Sequence, residues 1–440
     1  MPRVLSAPLG RWVDPAVAYR AICGNSDSAF WLDSGQGATT GTSYIGLAAD
    51  VRTEFDGPVL DWLRDSLAVE QVDASDASSG FTLGWVGWLG YELRAETMAM
   101  PVERPSRHPD AAWLRIERAL AFDHSTGRVT VMALDDAEAW RTEVLNALSR
   151  AAPPPVAQGA VGDVTWAYQD DEYLRMIAQC QRAIVEGDAY LLCLTTEVRV
   201  GGSPDPVATY LALRESSPTH HGALVRAGGV SLLSASPEQF LTVSTAGIVT
   251  TSPMKGTRPR GSTEVGDWQL RHELEDSVKE RAENVMIVDL MRNDIGRVSK
   301  PGTVGVTGLL AVESYAQVHQ LVSTVRGELA DGLTGVDAIE ACFPAGSMTG
   351  APKLSATTIL DRLEQRPRGI YSGAFGYVGF DGTVDLAMVI RSIIIDQDGA
   401  TIGTGGGITA LSVPAEELAE TKLKAAALLA VLGVPATWVK

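Results

Sequence analysis

With 440 residues, 45% of them hydrophobic and 20% charged, the chain is long enough for one large or two ordinary globular domains. A formal net charge of −18 excludes a nucleic-acid binder, which needs a basic surface, and it requires any anion site to be a local basic island. The longest apolar run, residues 425–434, is about half of a membrane span.

The N-terminus, Met-Pro-Arg-Val-Leu-Ser, lacks the basic stretch and apolar run of a secretory signal. Cys23, Cys180, Cys193 and Cys342 have neither metal spacing nor a disulfide framework, so a reduced, cytoplasmic protein is expected. In chain order, strands are predicted at residues 29–32 and 44–47. Residues 83–92 alternate glycine with large apolar side chains, a pattern of close backbone approach or a bend. Residues 112–121 and 128–134 read as paired strands and 137–151 as an amphipathic helix. Pro153-Pro154-Pro155 and a Gly/Ala-rich tail mark a linker, here 151–165, between an N-terminal region (1–150) and a second region (166–440). Tyr173, Met176, Ile177, Cys180 and Ile184 recur with helical spacing from Asp170 to about Gly187. A strand at 190–200, a helix near 206–215 and strands at 222–226, 230–234 and 239–245 follow. A long helix spans roughly 276–290, and strand–helix–strand alternation leads to a C-terminal helix from Ala415. Strands that are mostly sequential and hairpin-like predict an α+β fold with large, mainly antiparallel sheets.

Residues 346–353, Gly-Ser-Met-Thr-Gly-Ala-Pro-Lys, form a loop feeding a helix, whose free N–H groups and positive dipole end predict an anion-binding wall. That loop lacks the Gly-Lys-Ser/Thr of a phosphate loop, and residues 403–408 lack the final glycine of a dinucleotide fingerprint. Lys255 lies between Pro253 and Gly256, with Arg258 and Arg260 close by. Desolvation and those arginines would depress its pKa toward a free-amine nucleophile or base; a solvated turn lysine is the alternative. Glu280 and Glu283 are three apart on one helix face, and Glu417, Glu420 and Lys424 share another. Two such faces could hold Mg²⁺, or both could be solvated acidic surfaces. Arg391 interrupts an apolar strand and needs a partner, either a ligand carboxylate or an internal acid. Gly405, Gly406 and Gly407 suggest a nest of backbone donors or a tight turn. His319 is either a core histidine or a ligand contact, and Glu238, in the turn Ser236-Pro237-Glu238, is a candidate general acid. Together these residues suit an anionic, oxygen-rich small molecule.

At these residues the sequence resembles the chorismate-utilising enzymes: anthranilate synthase, aminodeoxychorismate synthase component I, isochorismate synthase and salicylate synthase. The resemblance runs from about Ala167 to Leu429. It is carried by Ser236-Pro237-Glu238, Lys279-Glu280-Arg281-Ala282-Glu283, the blocks at 289–298, 343–353 and 368–373, and Gly405-Gly406-Gly407-Ile408. It implies an antiparallel β-sandwich core flanked by helices, with the N-terminal region intertwined. It implies Mg²⁺ on Glu283 and Glu420, with Glu280 and Glu417 beside them. Arg391, Tyr371 and the three glycines would contact substrate, Ser347, Gly256 and Thr257 would line the pocket, and Lys424 would approach a carboxylate. His319 would sit near the ring and Glu238 would protonate the departing hydroxyl. Lys255 resembles the lysine of the branch that aminates chorismate at C4 for p-aminobenzoate and folate supply, in which that lysine forms a covalent intermediate. The isochorismate branch instead has a water-activating lysine where Leu191 stands. The family usually has Gln or Glu at that position, and Ser217-Pro218-Thr219-His220-His221 also departs from its pattern, leaving room for a specialised branch. No second region carries a nucleophilic cysteine in a glycine-rich elbow, so the ammonia is expected from a separate glutaminase (glutamine amidotransferase) subunit. Anthranilate synthase component I and a non-catalytic regulatory subunit are the alternatives.

Overall fold

The computed structural model describes residues 2–24, 26–70, 72–73, 80–151, 162–315 and 318–435. Among these, the strands pair antiparallel into one sheet of twelve and one of ten. The larger sheet runs from Leu5–Pro8 through Ala29–Asp33, His221–Ala227, Val230–Ser236, Ser392–Asp396 and Gly399–Ile408 to Leu191–Val200 and Gly350–Ala351. The smaller begins at Met254–Pro259 and Val318–Glu328 and passes through Ala374–Gly379 to Gly84–Leu89 and Ala111–Ile116. Strand parity builds the sandwich: Phe30 and Val225 point into the core between the sheets, while their neighbours Trp31 and Leu224 point to the outer core. Helices Pro15–Ile22, Ala137–Ser149 and Pro206–Ser216 cover that outer face. The α+β sandwich is therefore observed. No helix among the described residues is long and apolar enough to cross a membrane.

Strands from the first 150 residues enter both sheets, because Ala29–Asp33 pairs with His221–Ala227 and Gly84–Leu89 pairs with Ala374–Gly379. The glycine alternation at 83–92 has the expected cause: a Cβ on Gly87 would stand 1.8 Å from the Ala112 carbonyl oxygen. Most of the expected linker, residues 152–161, lies outside the described residues. Its tail is strand, since Val164–Trp166 pairs with Leu191–Val200. Where one helix was expected from residue 276, there are two, Glu264–Asp276 and Val278–Gly296, divided at Ser277. The Ser277 hydroxyl caps the second by accepting from Glu280 N.

One buried knot ties these parts together. Arg368, 3% exposed, donates to both carboxylate oxygens of Glu364 (2.9 and 2.8 Å) and to the carbonyls of Met348 (2.6 Å) and Cys193 (2.9 Å). Its own N–H and that of Gly369 donate to Glu92, and its guanidinium lies 4.4 Å from the Tyr91 ring centre. Burial pushes the Glu92 carboxyl from 4.5 up to about 7, against the two backbone donors. A carboxyl raised in the folded state contributes stability that is present below its unfolded value and lost as pH rises through the folded one. Between pH 4.5 and about 7 this group should thus lower the unfolding free energy by roughly 3 kcal/mol. Glu92→Gln is expected to remove that slope in urea denaturation across a pH series; an unchanged slope would place its cause elsewhere.

Candidate active site

A cavity of about 660 Å³ opens where the strands Met254–Pro259 and Gly399–Ile408 approach the helices Val278–Gly296 and Pro414–Val431. Its size suits a small molecule. Charged groups on its walls are Glu238, Glu280, Glu283, Glu417 and Glu420 against Lys255, Arg258, Lys279, Arg391 and Lys424. The site is therefore charge-balanced rather than the basic island that net charge alone suggested.

Lys255 enters through a β-bulge. The register with Val318–Glu328 shifts between Lys255 and Thr257, and Gly256 takes φ +77°. A Cβ there would meet Leu274 Cδ1 at 2.6 Å, so the position admits glycine alone. The lysine side chain is 15% exposed, with Nζ 3.9 Å from Glu283. The expected depression of its pKa is not found. Burial pulls the ammonium down, but Glu283, Cys193, Glu238 and Glu280 hold it above its ordinary value. Arg258 and Arg260, expected to repel its charge, are engaged by Glu273 and Asp267 instead.

The two helices present their carboxylates from opposite sides. Glu283 is 5% exposed, and burial pushes its carboxyl up against the pull of Lys255. Glu420 pairs with Lys424 at 2.8 Å, and Lys424 also donates to the Gly405 carbonyl at 2.9 Å. Among the described residues, no three His, Cys, Asp or Glu side chains stand close enough to make a ready-formed metal cage. Glu238, 6% exposed, has its carboxyl raised by burial against the Ser347 hydroxyl and Lys255.

Arg391 stands not within a strand but at the crossing from Val384–Met388 in one sheet to Ser392–Asp396 in the other. Its φ of +52° is unusual for a long side chain, and strain of this kind gathers at functional sites. Arg391 lines the cavity, is exposed, and makes no side-chain hydrogen bond or ion pair among the described residues. The expected glycine nest is absent. Gly405, Gly406 and Gly407 lie inside the strand Gly399–Ile408, paired with Thr195, Leu194 and Cys193, so their backbone belongs to a ladder rather than a turn. They form a floor without side chains, and a Cβ on Gly407 would stand 3.4 Å from Glu283 Oε2 and 3.5 Å from Lys255 Nζ.

His319 is not brought into the cavity. Its neighbours Val318 and Gln320 line it, so by strand parity His319 faces the other side, where it contacts Ser314 and Asp267. Lys353 is likewise turned away, bonded to Asp294 at 2.6 Å and the Cys342 carbonyl at 2.9 Å. The 346–353 loop thus contributes only Ser347 and Met348 to the wall.

Residues 27–430 match the family model described as chorismate binding enzyme. The chain belongs to that family. Aminodeoxychorismate synthases of Streptomyces pristinaespiralis and Streptomyces griseus are 39% and 40% identical to it, over 97% and 98% of this chain. The alignments cover 66% and 64% of those proteins, so the chain spans about two thirds of the length of these relatives. The crystal structure of anthranilate synthase component I from Streptococcus pneumoniae superposes with a TM-score of 0.76 at 28% identity, covering 91% of this chain and 90% of that one.

Within this chorismate-binding enzyme several site residues carried no individual sequence signal. Gly403 is one: a Cβ there would stand 2.1 Å from the Tyr371 ring, so the glycine seats the ring in the wall. Leu191, by contrast, is marked in the sequence as an apolar residue at a usually polar position; it is buried, and its Cδ1 stands 3.1 Å from where a Cβ on Gly407 would lie, giving this end of the floor an apolar edge. Gly403→Ala should displace Tyr371, cost about 1–3 kcal/mol of stability and weaken ligand binding by calorimetry. Gly406→Ala meets only Glu417 Oε2 at 3.3 Å and Lys424 Nζ at 3.9 Å. It should weaken binding at nearly unchanged melting temperature; equal melting losses in both variants would contradict this assignment.

Proposed function

We propose that this chain is an aminodeoxychorismate synthase component I, converting chorismate and ammonia to 4-amino-4-deoxychorismate for p-aminobenzoate and folate supply. The observation that carries the reading is Lys255, held by a bulge over a side-chain-free floor in a charged cavity of about 660 Å³. The names of the Streptomyces relatives support it. A nucleophile is a role that suits a buried primary amine so placed, and it separates this reading from a pure binding subunit.

The balanced walls suit a dianion that arrives with a divalent cation, since the pair leaves the net charge unchanged. The donor set fits Mg²⁺ in chemistry: hard carboxylate oxygens on facing helices, with Glu283 buried and undercompensated. Glu283 and Glu420 would hold the ion, with Glu280 and Glu417 beside them, and no ready-formed cage is needed if substrate and water complete the coordination. Bound there, Mg²⁺ would neutralise a substrate carboxylate and relieve the field that keeps Lys255 protonated. Arg391, whose side chain has no partner among the described residues, takes the second carboxylate, and Tyr371 and the glycine floor position the ring.

As the free amine, Lys255 forms a bond to C2, both ring double bonds shift along the ring toward C4, and the C4–oxygen bond breaks. Glu238, whose carboxyl burial raises above its ordinary value, would deliver a proton to the departing hydroxyl, which leaves as water. Ammonia then bonds at C4 while the C2–nitrogen bond to Lys255 breaks, returning the amine. The ammonia would come from a glutaminase subunit, or from ammonium in the assay.

Purified protein with chorismate, Mg²⁺ and ammonium should yield aminodeoxychorismate by chromatography and mass spectrometry. Lys255→Ala should lower the rate by about 10³-fold or more, and Glu238→Gln by about 10²–10⁴-fold. Anthranilate as the wild-type product, or full activity in Lys255→Ala, would overturn the reading.

A further inference from the structure

Of the five cavity glutamates, the four on the two helices are held in different ways, and Glu417 is the most constrained of them. It is 3% exposed, and its Oε1 accepts from both the Ser412 hydroxyl at 2.7 Å and the Lys279 ammonium at 2.9 Å. Its other oxygen, Oε2, lies over the glycine floor, 3.3 Å from where a Cβ on Gly406 would stand. Ser412 is itself fixed: its hydroxyl accepts from Thr409 N at 3.1 Å, and its carbonyl accepts from Gln181 Nε2 at 2.7 Å. Lys279 leaves the helix Val278–Gly296 one residue before Glu280 and reaches across to Pro414–Val431. The Lys279–Glu417 pair thus ties together the two helices that carry the carboxylates.

We propose that Lys279 and Ser412 are positioning residues: they pin one oxygen of Glu417, turn the other into the cavity, and fix the spacing of the two glutamate-bearing helices, thereby setting divalent-cation affinity. The inference rests on the reading that these carboxylates bind Mg²⁺. Partners that orient ligating carboxylates typically govern metal affinity by about 10–100-fold. Charge alone argues the other way. An ammonium beside a cation site repels the cation, so if Lys279 were only a counter-ion, its removal would tighten binding. The two roles predict changes of opposite sign.

The test is titration with Mn²⁺ as the probe, followed by loss of the free-ion electron paramagnetic resonance signal, without substrate and with chorismate. Lys279→Met should weaken binding by about 10-fold or more even though a positive charge is gone, and Lys279→Arg should restore it to within a few-fold. Ser412→Ala leaves every charge in place and should weaken binding in the same direction. It carries the test if Lys279→Met fails to fold, as judged by melting in metal-free buffer. Unchanged or tighter binding in Lys279→Met, or in Ser412→Ala, overturns the positioning role while leaving the metal reading intact. A wild-type protein that binds no Mn²⁺ with or without chorismate removes the metal reading, and this inference with it.

Discussion

The structure hangs on a fully satisfied buried charge. A guanidinium taken from water is tolerated only when its donors are used and its charge is matched. Arg368 meets that condition with Glu364, two backbone carbonyls and the face of Tyr91. Glu364 in turn accepts from Thr195 N at 2.9 Å, so the same pair holds the strand that lies beside the cavity floor. Through Glu92 the knot also grips the first third of the chain. The segment 368–373, the glycine strand and the N-terminal region are therefore positioned by one set of contacts, and Tyr371 inherits its place from it.

The cavity applies the opposite policy. Its charges balance, but they are incompletely paired: Arg391 has no protein partner among the described residues, Glu283 faces only an ammonium at 3.9 Å, and Glu417 has one oxygen engaged and one turned inward. For the buried carboxylates such an arrangement is costly until a cation completes it, whereas Arg391 is exposed and stands ready for an anion. The glycine floor makes this possible, because side chains at Gly406 and Gly407 would crowd the space in which Lys255, Glu283 and Glu417 converge.

Much of this was legible in the chain. The i,i+3 glutamate pairs, Lys255 flanked by helix-breaking residues, and the three glycines 405–407 all pointed to a charged small-molecule site, and the antiparallel α+β architecture followed from sequential strands. The errors share one cause. The resemblance put His319 near the ring and local pattern read the three glycines as a nest or a tight turn, yet their roles depend on which strand each residue pairs with and on which face it then points. Lys255 was expected to be depressed because its neighbours in sequence are basic. In the fold its neighbours are acids delivered by a helix some twenty-five residues on. Ser412 gave no signal, and Lys279 entered only as part of the 279–283 block with no role of its own, since their effect is exerted through Glu417.

By itself the sequence determined which elements form, which residue types could do chemistry, and that the chain resembles enzymes acting on chorismate. These are matters of periodicity, capping and local motif, which short-range sterics and hydrogen bonding decide. Only the tertiary structure decided the protonation preference of Lys255, the inward turn of Arg391, the outward turn of His319 and the clasp on Glu417. Each depends on burial and on charges contributed by segments far apart in the chain, and electrostatics in a desolvated cavity follows distance in space rather than distance in sequence.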